Sequence, residues 1–182
     1  MVRRCPRVPA SLAGDAMTDV DRLAALERAG HTHECAARQV WGDGGPCPGC
    51  PGVFRVVVTG GRHFTDKAAV WGALDRLLAK HGSLHVAHGA CKSGTVTYRG
   101  SEGSYDGADG LAHGWAVEHG QVADPHPADW SRGPAGGPIR NRAMLDAVRP
   151  GGVVAFPGGR GTADCCRAAE ERKIAVWRPG SR

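Results

Sequence analysis

With 182 residues, 23 Lys and Arg against 18 Asp and Glu, and a net charge of +5, the chain suits one domain of ordinary size plus a small appendage. No run approaches the roughly 18 consecutive apolar residues that span a bilayer, and the basic start MVRRCPRVPASLAGDAM lacks the continuous apolar stretch of a secretion signal. A soluble cytosolic protein is the default expectation, and there seven cysteines read as metal ligands, core residues or redox groups before they read as disulfides. The charge is uneven: residues 1–52 carry six Lys/Arg and six Asp/Glu, so residues 53–182, with seventeen against twelve, hold the whole excess. That second segment is expected to meet an anion, and without a dense basic run a phosphorylated small molecule fits as well as a nucleic acid.

In chain order, residues 1–16 are rich in Arg, Pro and small residues and read as disordered; Met17 opens a better-formed segment and stands as an alternative start. TDVDRLAALERAG follows, with Thr18 as N-cap, Leu23, Leu26 and Ala29 at helical spacing and Gly30 as stop, which predicts a short helix. Then HTHECAARQVWGDGGPCPGC places His31, His33, Cys35, Cys47 and Cys50 close together. The turn Cys47-Pro-Gly-Cys50 lets two thiolates face one ion, and Cys35 with His33, or alternatively His31, completes a tetrahedral set for structural zinc. A redox Cys-x-x-Cys pair is the competing reading, but such a pair opens a helix, and GGPCPGCPG is no helix.

From residue 53 strands and helices alternate. VFRVVVTG is a buried strand; DKAAVWGALDRLLAKHG carries Ala69, Val70, Ala73, Leu74, Leu77 and Leu78 on one helical face and stops at Gly82; LHVAHG is a second strand. GADGLAHGWAVEHG and GPIRNRAMLDAV read as helices, QVADPHP as a short extended piece, GGVVAF as a strand, GTADCCRAAEERK as a helix and IAVWRP as a closing strand. Five strands alternating with four helices predict an α/β fold, a Rossmann-like doubly wound parallel sheet. Between them, SGTVTYRGSEGSYD is a Gly- and Ser-rich excursion, read either as a lid offering Tyr98, Arg99 and Tyr105 or, preferably, as a loose insertion.

In such sheets ligands bind outside the carboxyl ends of strands, where helix N-termini present unpaired amides. Two predicted strands end in glycine-rich turns with an arginine: Gly60, Gly61 and Arg62, then Gly158, Gly159, Arg160, Gly161 and Thr162. The second turn is expected to cradle a phosphate, with the first as the opposite wall and with Arg140 and Asn141 reaching in from the helix begun at Pro138. Asp109 either accepts from a ribose hydroxyl or simply supplies charge at a helix start. Arg142 reads as a solvated or dimer-face charge, Cys91, Cys165 and Cys166 as small buried or helix-face residues, and Trp115, Trp130 and Trp177 as core or rim rather than base platforms.

VTGGR (58–62), HGA (88–90), GADGLA (107–112), ADW (128–130), GPIRNRAM (137–144) and AFPGGRGTAD (155–164) together resemble the SLOG superfamily, named after Smf/DprA and the LOG phosphoribohydrolases, and most closely its YspA/YpsA-related branch in bacteria and phages. The resemblance covers residues 53–178. It implies a Rossmann-like domain that binds a nucleotide or nucleotide derivative, with NAD- or ADP-ribose-like ligands suggested for this branch, and a homodimer. LOG enzymes carry P-G-G-x-G-T-x-x-E after R-K-x-x-M and cleave an N-glycosidic bond. Carried over, the arginine falls on Arg140 and the methionine on Met144, but the lysine becomes Asn141 and the glutamate Cys165. Cysteine cannot replace a carboxylate that grips a ribose, and the adjacent Asp164 lies about 100° round the helix. Three functions follow from this resemblance: a nucleotide-derivative sensor or processing protein, a hydrolase using Arg140 with Asp164 or Asp109, and a DprA-like nucleic-acid binder, the last disfavoured because no aromatic-basic surface is visible.

Overall fold

The computed structural model describes residues 53–101 and 103–180. The predicted N-terminal disorder, the Thr18–Gly30 helix and the zinc set of His33 (or His31), Cys35, Cys47 and Cys50 lie outside the described residues.

The run of β-branched residues after Val53 forms strand β1 (Phe54–Thr59), whose Val56, Val57 and Val58 are all fully buried. Side chains alternate across a strand, so a strand buried at three consecutive positions has to be covered on both faces. It is. Helix α1 (Lys67–His81) begins where Asp66 accepts the amide of Ala69 at 2.9 Å, and it ends where Gly82 turns left-handed at φ 79°. Strand β2 (Leu84–His88) follows, then an antiparallel hairpin of β3 (Val96–Gly100) and β4 (Gly103–Asp106), then helix α2 (Gly107–Glu118). Strand β5 (Val122–Pro125) leads through a 3-10 turn (Trp130–Ala135) into α3 (Gly136–Val148), which starts ahead of the predicted Pro138. Strand β6 (Gly152–Ala155), helix α4 (Arg160–Glu171) and the two-residue β7 (Val176–Trp177) complete the chain.

Five strands make one parallel sheet in the order β5-β2-β1-β6-β7, as a Rossmann-like fold requires. Val56 and Val58 join Val86, Leu74 of α1 and Leu111 and Trp115 of α2 in a core on one face. Val57 joins Ala87, Met144 and Leu145 of α3 and Cys165 and Ala168 of α4 on the other. The chain steps outward from β1 to β2 and β5, then returns to lay β6 and β7 on the opposite side. The direction therefore reverses between β1 and β6, and the crevice at their carboxyl ends is where such folds take ligands.

The 93–106 excursion is neither loose nor a lid. Tyr98 pairs with Tyr105 across the hairpin, and Tyr105 is buried. Both rings pack on His113 of α2, with centroids 4.4 and 4.6 Å away. Thr95 accepts the amide of Gly107 and donates its own to Arg62, so the start of the hairpin is stitched to both the β1 turn and α2. Its glycine and serine content hides a β-prone Val-Thr-Tyr run that finds a flat aromatic seat. Among the described residues no helix is long and apolar enough to cross a membrane.

Leu74 is fully buried at the centre of the first core. Leu74→Ala is expected to cost about 2–5 kcal/mol of unfolding free energy, by cavity formation, measured by urea denaturation.

Candidate functional site

The two glycine turns lie side by side at the switch. The Gly61 amide donates to the Pro157 carbonyl at 2.9 Å, and the Phe156 amide donates to Thr59. The Gly61 carbonyl in turn accepts from Phe64 and Ala108. Gly61 is therefore spent on joining the turns and holding the start of α2, and its amide does not face outward. Gly60 lies in the same turn. Arg62, in the next position, sends its guanidinium to the hydroxyl of Ser93 at 2.9 Å and to the Ser93 carbonyl.

The second turn keeps its donors. Helix α4 opens at Arg160 with Gly159 as an extended N-cap. The first amides of a helix have no partner within it. Among the described residues, the N–H groups of Gly158, Gly159, Arg160, Gly161 and Thr162 donate to no protein acceptor. A side chain on Gly158 would collide with the Thr162 hydroxyl, whereas the same atom on Gly159 or Gly161 would enter open space. The turn is thus tight on the protein side and open on the other. Arg160 is exposed, and a groove of about 580 Å3 runs beside the turn between Phe156, Thr162 and Arg178.

Arg140 is half-buried at the carboxyl end of β2. Its Nη1 donates to the carbonyls of Gly89 and His126, the latter at 2.7 Å, and its Nε donates to Asn141 Oδ1 at 3.1 Å. Gly89 is glycine because a Cβ there would occupy the guanidinium. No carboxylate pairs with Arg140 among the described residues, and its Nη2 has no protein acceptor. A guanidinium held only by neutral carbonyl and amide oxygens keeps its positive charge for a ligand.

Asn141, buried, joins this arginine to α4. Its Nδ2 donates to Asp164 Oδ2 at 3.0 Å and to the Gly161 carbonyl at 3.2 Å. Asp164 also accepts from Arg167 at 2.7 Å and lies 3.5 Å from Arg142, so Arg142 is an inter-helix partner here. Burial pushes the Asp164 carboxyl up, but Asn141, Arg142 and Arg167 outweigh it and hold it below its usual range. Cys165 lies in the core within electrostatic reach of Arg140, its thiol pushed up to about 11 mainly by burial, which leaves it protonated and unreactive. Cys166 is likewise buried.

Asp109 is buried on α2 and accepts the Cys91 amide at 3.1 Å, with Gly89 as a second backbone donor. Burial pushes its carboxyl up to about 6, against the pull of Cys91 and of the Arg140 charge, and neighbouring Asp106 adds to the rise. Sequence reasoning missed two histidine groupings here. His88 Nδ1 accepts the Ala90 amide, so its Nε2 carries the proton and donates to His113 Nδ1 at 2.9 Å. Burial pushes His88 down to about 3, so the pair is a neutral strut beneath Gly89. His85 and His126 both reach Asp124, at 2.8 and 3.0 Å. The two histidines of HVAH stand three residues apart, on opposite faces of β2, and their partners come from elements distant in sequence, so no local pattern signalled either grouping. Among the described residues no group of His, Cys, Asp or Glu is arranged to hold a metal ion.

Because burial favours the neutral carboxyl, Asp109 stabilises the fold most below the ordinary carboxylate pKa, and this contribution is lost as pH rises through about 6. Wild type is expected to lose about 2–3 kcal/mol from this group between pH 4 and 7, and Asp109→Asn to lack that decline, as read by denaturation across pH.

A model of the YspA, cpYpsA-related SLOG family matches residues 54–95, the stretch from β1 to the start of the hairpin. The chain is also 38% identical over 129 residues to the "Gene 61 protein" of Mycobacterium phage D29, an alignment spanning 67% of this chain and 93% of that protein. No solved structure matches the chain.

Proposed function

The chain belongs to the YspA, cpYpsA-related SLOG family, and on that footing we propose that it binds a nucleotide or nucleotide derivative, a nucleoside monophosphate or an NAD- or ADP-ribose-like compound, as a sensor or processing protein. The observation that carries this reading is the coincidence of the five unpartnered amides of Gly158–Thr162 with the unpaired guanidinium of Arg140 at one switch point. Amides at a helix start favour phosphate oxygens, and Arg140, tied to that start through Asn141, faces the next polar portion of the ligand. Arg160 adds charge at the mouth. Gly60, Gly61 and Arg62 serve as a supporting wall, and Asp109 sets the Gly89–Cys91 backbone against which Arg140 is held.

Calorimetric titration with AMP, NAD and ADP-ribose tests this. At least one is expected to bind, and Arg140→Ala to weaken it about 10- to 100-fold, the worth of a hydrogen bond to a charged group. Gly161→Ala separates binding from folding: its methyl enters open space, so the melting temperature is expected to hold or rise slightly while affinity falls. Retained affinity in Gly161→Ala would place the ligand elsewhere.

A second reading, N-glycosidic hydrolysis, is favoured by one observation: Asp109, with its raised pKa, lies within electrostatic reach of Arg140 and of Cys165, where related hydrolases carry glutamate. Asp164, the other candidate with Arg140, is occupied by three neighbours. Incubation with AMP or NAD followed by chromatography for free base decides it: release abolished by both Arg140→Ala and Asp109→Asn supports hydrolysis, and release retained in Asp109→Asn removes Asp109 from the chemistry.

We also propose that His33 (or His31), Cys35, Cys47 and Cys50 hold one structural zinc, on the strength of their spacing. Metal analysis of the purified chain is expected to find about one zinc per chain, lost when Cys47 and Cys50 are both changed to Ser.

A further inference from the structure

Large aromatic side chains in a folded protein normally lie packed, and Tyr and Trp rings with an open face are concentrated where something binds. Four tryptophans fall among the described residues, and three have clear internal employment. Trp115 is fully buried and donates its indole N–H to Asp75 at 2.8 Å. Trp71 donates to the Leu111 carbonyl and lies under the Lys67 ammonium, 3.6 Å from the ring centroid. Trp177 receives the Arg76 guanidinium over its ring. Trp130 has no hydrogen-bond acceptor, cation or aromatic partner among the described residues, and it is 64% exposed.

Its exposure is not looseness of the backbone that carries it. Asp129 caps the 3-10 turn, accepting the Ser131 amide at 3.1 Å, the Ser131 hydroxyl at 2.6 Å and the Arg132 Nε at 3.1 Å. The edge of the indole rests at Gly137, in the first turn of α3, where a Cβ would sit 3.7 Å from the ring. Residues three and four apart share a helix face, so Gly137 lies on the same stripe as Arg140 and Asn141. The Arg140 guanidinium donates to the His126 carbonyl at 2.7 Å, at the start of the loop that leads from β5 to Trp130. The stripe continues to Met144, which is buried against the sheet, so its upper end overhangs the carboxyl rim. Along that rim the order is an unpartnered indole, an unpaired guanidinium, a bridging amide and a row of open backbone N–H groups. A flat apolar surface, a cation and a phosphate cradle in that sequence match the parts of a nucleotide: base, ribose and phosphate.

We propose that Trp130 is the stacking platform for the nucleobase of the ligand, and that its ring gives this site preference for base-bearing phosphates over bare sugar phosphates. This inference rests on the nucleotide-binding reading above but can fail without it. Stacking of a base on an aromatic side chain is worth about 1–3 kcal/mol, so removing the ring is expected to cost about 5- to 150-fold in affinity for a nucleotide and little for a ligand lacking a base.

The test compares AMP, GMP and ribose 5-phosphate by calorimetry on the full chain, in wild type, Trp130→Ala, Trp130→Phe and Arg140→Ala, with the mass of each variant measured by light scattering. The expected result is that wild type prefers a nucleotide over ribose 5-phosphate by about tenfold or more. Trp130→Ala should erase that preference with ribose 5-phosphate binding unchanged, Trp130→Phe should restore most of it, and Arg140→Ala should weaken all ligands alike. A preference undiminished in Trp130→Ala overturns the platform and leaves the phosphate site standing. A dimer in wild type that becomes monomer in Trp130→Ala, with the preference intact, makes the exposed ring, with Ile139, which is also exposed, a contact between copies of the chain and overturns the proposal. Wild type that binds none of the three overturns the platform, and it overturns the nucleotide-binding reading as well when NAD and ADP-ribose also fail to bind.

Discussion

Everything at the carboxyl rim depends on one buried carboxamide. Asn141 spends its oxygen on Arg140 Nε and its nitrogen on Gly161 and Asp164, and so ties the arginine of α3 to the open turn of α4. A buried amide left with unmet hydrogen bonds costs stability, whereas a fully satisfied one fixes geometry. Asp164 completes this fixation. Its carboxylate is clamped by Asn141, Arg142 and Arg167, which makes it a girder between two helices rather than a group turned toward the crevice.

The charge balance around Arg140 follows from the same economy of partners. A half-buried guanidinium would ordinarily draw in a carboxylate, and Asp109 is near enough to influence it electrostatically. Yet Asp109 is taken up by the backbone of the Gly89–Cys91 turn, and burial keeps its carboxyl neutral up to about pH 6. The neutral His88–His113 pair supports the same turn from below without adding a second charge. Arg140 is therefore surrounded by dipoles, and its positive charge persists at a rim otherwise lined by unpaired N–H groups. The arrangement suits an anion.

The hairpin shows how a polar, glycine-rich excursion becomes part of the wall around the switch point. By capturing Arg62 through Ser93 and packing Tyr98 and Tyr105 on His113, it converts the first glycine turn from a ligand-facing loop into a brace. The labour at the switch point is thereby divided. Gly61 closes the seam between β1 and β6, and Gly158 to Thr162 keep the donors.

Much of this was legible in the chain itself. The β-branched run that becomes β1, the helix stop at Gly82, the alternation of strands and helices and the glycine turn before α4 all depend on interactions within a few residues, so local chemistry determines them. Residues 93–106 were misread because their glycines and serines look like a linker, and only the aromatic seat on α2 makes them a hairpin. The separate fates of two similar glycine turns, the conversion of Asp164 into a clamp and the exposure of Trp130 were equally beyond local reading. Each is decided by which partner a side chain meets from an element far away in sequence. The amino-acid order by itself determined the sheet and its helices and raised the expectation of an anionic ligand; the tertiary structure alone decided which donors remain open, because hydrogen-bonding capacity is finite and packing allots it first to the protein.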